Sequence, residues 1–111
     1  PGHLNVRLHW QTTSPISKDY TVFVHLLDTT GHLIAQDDHQ PGAGAFPTST
    51  WNVGETILDP HQIELPSTSA RPARVEIGVY LLSTGQRLPV YTANGARLGD
   101  VVTFAVNHGT F

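Results

Sequence analysis

A chain of 111 residues and 12.1 kDa is long enough for one hydrophobic core and too short for two. Only 14% of its residues are Asp, Glu, Lys or Arg, against about 25% in typical domains, and a net charge of −3 excludes the basic face that nucleic acid or an anionic membrane surface requires. With no cysteine there is no disulfide, no thiolate nucleophile and no Cys-ligated zinc.

Leu4, Val6, Leu8 and Trp10 alternate with Asn5, Arg7 and His9, the period-2 pattern of a half-buried strand, with Trp10 on its core side. Residues 20–28 predict a strand of another kind. Val22, Val24 and Leu26 fall on one face and Phe23, His25 and Leu27 on the other, so this strand is expected at the centre of a sheet, covered on both sides. After the turn Asp28-Thr29-Thr30-Gly31, a short strand is predicted over 33–38. Residues 39–52 carry Pro41, Gly42, Gly44 and Pro47 beside Phe46 and Trp51. A connection of that length is expected either to bind something or to pack as an ordered cap. Residues 55–65 predict a strand interrupted at Pro60, hence bulged or near an edge, and 66–72 a polar connection.

Residues 74–82 alternate again, with Val75, Ile77, Val79 and Leu81 inward and Arg74, Glu76, Gly78 and Tyr80 opposite. A turn at 83–85 leads to a short strand at 88–91, Asn94-Gly95 is the strongest hairpin signal in the chain, and 101–106 closes the set. Gly85-Gln86-Arg87-Leu88 and Gly95-Ala96-Arg97-Leu98 stand at hairpin spacing, not at solenoid spacing. Short strands punctuated by ten Gly and eight Pro predict an all-β, two-sheet antiparallel sandwich of immunoglobulin-like or jelly-roll type. About seven or eight strands are expected, in a single domain over 1–111.

The run from Asp19 to Asp28, then Gln36, Asp38 and Pro41, then Pro47-Thr48-Ser49 with Trp51 and Gly54-Glu55, resembles a bacterial β-sandwich domain. That domain forms the C-terminal, extracytoplasmic end of polytopic membrane proteins similar to the dolichyl-phosphate-mannose mannosyltransferase (family 39) glycosyltransferases. Gly78-Val79-Tyr80 and Thr84-Gly85-Gln86-Arg87-Leu88-Pro89-Val90 extend the pattern over nearly the whole chain. The usual Pro-Gly pair before the Gly-x-Tyr strand is here Pro72-Ala73, a departure that touches only a turn. The resemblance implies a location in the cell envelope and a membrane-bound parent chain, and it implies no activity of the domain itself. The chain has no Met and opens Pro1-Gly2-His3, so it is expected to be part of a larger protein. No apolar run reaches the length of a membrane span and no signal-peptide pattern opens it.

Asp37-Asp38-His39 places neighbouring carboxylates on opposite strand faces, so Asp37 and Asp38 are not expected to share an ion, and there is no His-Glu-x-x-His pattern. A calcium site gathered from Asp38, Asp59 or loop carbonyls stays open as an alternative; the residues imply no metal and no cofactor. Without a Gly-x-Ser-x-Gly elbow, Ser49, His25 and Asp38 do not constitute a triad, and no catalytic residue is expected. His25, mid-strand beside Phe23 and Leu27, needs a hydrogen-bond partner, which Gln36 and Asp38 supply if the two strands pair. Either the three form a polar network fixing the 46–51 loop, or they floor a ligand groove walled by Trp51 or Tyr80. The expected function is a non-catalytic accessory module of a cell-envelope protein, docking a glycan, a lipid-linked sugar or a neighbouring segment of its parent chain, with no nucleic acid. The competing expectation is a purely structural or protein-interaction sandwich.

Overall fold

The computed structural model describes residues 2–66 and 71–106. Among the described residues nine strands follow in chain order: β1 (His3–Trp10), β2 (Thr21–Asp28), β3 (Leu33–His39), β4 (Ile57–Glu64), β5 (Pro72–Leu81), β6 (Gln86–Arg87), β7 (Val90–Tyr91), β8 (Arg97–Gly99) and β9 (Val102–Ala105). A single turn of 3-10 helix, Thr48–Thr50, interrupts the long β3–β4 connection. Part of the polar connection expected over 66–72 lies outside the described residues. Among the described residues no helix is long and apolar enough to cross a membrane.

The protein is an all-β antiparallel sandwich. One layer is the pair β1–β4, in register from His3 opposite Glu64 to Trp10 opposite Ile57. The other is five-stranded, ordered β3-β2-β5-β6, with β9 also on β5; β7 and β8 form a separate hairpin. Strand β2 is central, as its doubly apolar pattern predicts: Val22, Val24 and Leu26 face β1 and β4, while Phe23 and Leu27 are buried on the outer side. Val75 and Ile77 of β5 and Ile63 of β4 complete the core, and Leu4, Val6, Leu8 and Trp10 pack onto it from β1. Phe23 lies opposite Gly78, whose missing side chain makes room for the ring: a Cβ there would sit 2.2 Å from Phe23 Cζ.

Three local expectations are revised. Strand β4 is not interrupted at Pro60; it runs through with strict alternation, Pro60 lying opposite Arg7 without a bulge. Among the described residues its only partner is β1, so the edge position anticipated for a proline strand holds, and the missing N–H costs no ladder bond on the free side. Of the strand predicted at 88–91 only Val90–Tyr91 forms, as β7 paired to β8 across the Asn94-Gly95 turn; Leu88-Pro89 divides it from Gln86–Arg87, which forms β6 on β5. That division raises the strand number above seven or eight.

Strand β4 buries Ile57, Asp59, His61 and Ile63 and exposes Leu58, Pro60, Gln62 and Glu64. Two of its four inward residues are therefore polar. On β3, which borders only β2, His39 pairs with Val22 and Asp37 with Val24, so these two polar residues share the core-facing side of their strand. The polar ends of β3 and β4 meet where the two layers touch.

Candidate functional site

The pattern Asp-x-His occurs twice, at Asp37-Asp38-His39 and at Asp59-Pro60-His61. Because side chains two apart on a strand share a face, each pattern delivers one carboxylate and one imidazole to the same side. One pattern lies on β3 and the other on β4, and the four groups interlock. His61 Nε2 is 2.9 Å from Asp59 Oδ2, and His61 Nδ1 is 3.0 Å from Asp37 Oδ2. His39 Nε2 is 3.1 Å from the same Asp37 oxygen, and the two imidazole rings stack at 4.0 Å between centroids, 7° from parallel. The His61 and Asp59 side chains are fully enclosed, whereas those of Asp37 and His39 retain 28% and 22% of their exposure, so solvent reaches the cluster from the β3 side.

Asp59 is the most strongly held member. Its Oδ1 accepts from the Gly42 backbone N–H at 2.9 Å, and its Oδ2 accepts from the Trp10 indole N–H at 3.0 Å as well as from His61. Burial alone would raise the Asp59 carboxyl, but the hydrogen bonds from His61, Trp10 and Gly42 outweigh it and hold the carboxyl below its ordinary value. Burial alone would lower His61; the bond to Asp59 and the charges of Asp59 and Asp37 prevail and hold the imidazole above its ordinary value. Both directions favour the charged forms of the pair.

A second feature lies beside the first and shares Trp10 with it. An open cleft of about 460 Å³ is bounded by Trp10, Tyr20, Trp51 and the 15–17 segment, with Gln11 and Thr48 at its polar positions. No Asp, Glu, Lys, Arg or His lines it. Trp10 and Trp51 stand 6.5 Å apart with their planes tilted by 32°. Both indole N–H groups point into the protein, Trp10 to Asp59 and Trp51 to the Phe46 carbonyl at 2.9 Å, which fixes the rings. The loop that carries Trp51 is well ordered. Phe46 N–H bonds Pro41 O, Gly44 N–H bonds Gln40 O, and the Thr48 hydroxyl donates to Lys18 O while accepting from Tyr20 N–H.

The five residues singled out in the sequence divide between the two sides of the large sheet. His25, Asp38 and Tyr80 come together on its outer face, with His25 Nε2 3.5 Å from Asp38 Oδ1 and the Tyr80 hydroxyl donating to Asp38 Oδ2 at 3.4 Å. Burial, then the neighbouring Asp38 charge, raises the Tyr80 phenol above its ordinary value. Gln36 pairs with His25 in the β2–β3 register and is solvent-exposed. The Phe23 ring lies 4.7 Å from that of His25 and carries the Arg87 guanidinium 4.4 Å above its centroid. Trp51, by contrast, sits with Trp10 at the core side. Trp51 and Tyr80 thus cannot wall a common groove, and the outer-face cluster does not lie under the 46–51 loop. Asp38 faces outward and Asp59 inward from the other layer, so they do not gather one calcium. Reading Asp37 with Asp38, rather than with His39, hides the cluster; the signal that reveals it is the repeated Asp-x-His.

The geometry defines a β-sandwich domain with a charged clasp between its layers and a neutral aromatic cleft alongside. No family model, curated protein or solved structure matches the chain.

Proposed function

We propose that the domain is a non-catalytic binding module whose Trp10–Tyr20–Trp51 cleft takes a neutral, ring-bearing ligand such as a sugar unit, free or lipid-linked. The observation that carries this is the lining: three aromatic rings among aliphatic residues such as Ile16, Val79 and Leu88, with Gln11, Ser17 and Thr48 and no charged group. The C–H face of a sugar stacks on indole surface while its hydroxyls exchange hydrogen bonds with neutral side chains. A volume of about 460 Å³ lies in the range of small-ligand clefts. The motif resemblance supports an extracytoplasmic setting within a cell-envelope membrane protein, where glycans and lipid-linked sugars are met.

Trp10 and Trp51 are the only two tryptophans in the chain and both line the cleft, so intrinsic fluorescence reports on it directly. Titration with a panel of neutral mono- and oligosaccharides should change that emission saturably, and Trp51→Ala should abolish binding. No response to any sugar, or unchanged affinity in Trp51→Ala measured by calorimetry, would remove this reading.

A second reading, a protein-interaction domain, is favoured by one observation. Between β1 and β9 the sandwich is open along an apolar cleft of about 420 Å³ lined by Leu4, Leu8, Val75, Ile77 and Phe104. Such a gap suits the packing of a further segment of a parent chain.

A further inference from the structure

We propose that Asp37, His39 and His61 form a binding site for a divalent transition-metal cation of the zinc class, which clasps β3 to β4 and thereby joins the two layers.

Three ligand atoms converge: Asp37 Oδ2, His39 Nε2 and His61 Nδ1, all within 4.8 Å of one another. The far nitrogen of each ring is already committed. His39 Nδ1 lies 2.8 Å from the Gln40 carbonyl, which can only accept, so that nitrogen carries the proton. His61 Nε2 likewise donates to Asp59. With neutral rings, two unprotonated imidazole nitrogens and a carboxylate oxygen then lie together without a donor among them, and the Asp37 carbonyl, 3.1 Å from His61 Nδ1, adds a fourth acceptor. A proton on His61 meets only part of this. Protonating both rings would stack two like charges at a centroid distance of 4.0 Å. One divalent cation satisfies all three groups, and its charge balances the two carboxylates while both rings stay neutral.

The surroundings match those of a metal-bound histidine. The outer nitrogen of His61 is held by a carboxylate, itself fixed by Trp10 and Gly42, and that of His39 by a backbone carbonyl. Two imidazole nitrogens with one carboxylate select zinc-class ions over calcium or magnesium, which prefer oxygen. The lone pairs of parallel rings lie in parallel planes and do not meet at one ion, so one ring turns as the ion enters. His39, partly exposed, with its Nδ1 held by the Gln40 carbonyl and only 3.8 Å from Asp59 Oδ1, is the freer of the two to do so; His61 is enclosed and locked by Asp59. The exposed side of Asp37 and His39 leaves room for a water ligand at the remaining position.

The test is titration of the chelator-treated domain with Zn²⁺ and with Co²⁺, followed by calorimetry, visible absorption of the Co²⁺ form and long-range ¹H–¹⁵N imidazole spectra. Binding of one equivalent is expected, with a thermal midpoint raised by about 5 °C or more in excess ion, and with selective shifts of His39 Nε2 and His61 Nδ1. Asp37→Asn and His39→Gln, both at partly exposed positions, should each weaken binding by about tenfold or more, whereas His25→Gln on the outer face should leave it unchanged. Absence of binding at about 0.1 mM Zn²⁺, or unperturbed His39 and His61 nitrogens in the loaded protein, would overturn the proposal, and the imidazole spectra decide it without any variant.

Discussion

The Trp10 indole donates its N–H to Asp59 Oδ2 at 3.0 Å, and through this one bond the ring that lines the neutral cleft is anchored in the charged clasp between the layers. Asp59 is fully enclosed and also receives His61 and the Gly42 N–H, so a single buried carboxylate positions an aromatic wall, an imidazole and the start of the Trp51 loop.

Asp59→Asn should therefore destabilise the protein by about 3 kcal/mol, because it removes the enclosed charge partner of His61 and leaves only the partly exposed Asp37. It should also alter Trp10 emission in the folded state. Urea denaturation followed by fluorescence measures both; a loss below about 1 kcal/mol would show that the clasp contributes no more than a surface ion pair.

Stability of the chelator-treated protein should pass through a maximum in mildly acidic solution. His61 is held above its ordinary value of 6.5, so its contribution is complete below that pH and is lost as pH rises through the folded value. Asp59 is held below its ordinary value of 3.8, so its contribution is complete above that pH and is lost as pH falls through the folded value. Thermal melts between these limits and on either side should show a plateau with declining shoulders, and in Asp59→Asn the alkaline shoulder should flatten.

Thr48→Val tests the anchoring of the Trp51 loop. The Thr48 hydroxyl bridges Lys18 O and Tyr20 N–H, and its isosteric loss leaves both backbone groups unpaired at a largely enclosed position. The expected cost is about 1 to 3 kcal/mol, read as a lower midpoint in chemical denaturation, together with weaker ligand binding in the adjoining cleft.

Gly78→Ala should lower the melting temperature by several degrees or prevent folding, since the added methyl meets the Phe23 ring and, at 2.8 Å, the Asp100 carbonyl. Pairing it with Phe23→Leu should cost less than the sum of the two single changes, a coupling that a double-mutant cycle measures.

Ala43→Gly should act in the opposite direction. Ala43 has φ of 56° between Gly42 and Gly44, a left-handed conformation that costs a residue with a side chain about 1 to 2 kcal/mol. Glycine relieves it, and a higher melting temperature in calorimetry is the expected result.

Much of the fold is legible in the residues themselves. The doubly apolar run of Val22 to Leu27 marks a central strand because only a strand with neighbours on both sides and cover on both faces buries such a pattern. The alternation of Leu4 to Trp10 and of Val75 to Val79 fixes which face turns inward, and Asn94-Gly95 fixes a hairpin, because each depends only on local geometry. By the same rule the sequence determines that Asp37 shares a face with His39, and Asp59 with His61. What it does not contain is that those two faces meet. That is decided by how the β1–β4 pair is laid across the large sheet, a matter of core packing of Val24 and Leu26 against Ile63, far from them in the chain. Packing likewise separates Trp51 from Tyr80 and joins Trp51 to Trp10. Length, low charge and strand periodicity thus determine a weakly charged all-β domain, since they are read from composition and from a few residues at a time; the clasp and the cleft arise only from tertiary structure, because each is assembled by contacts between layers.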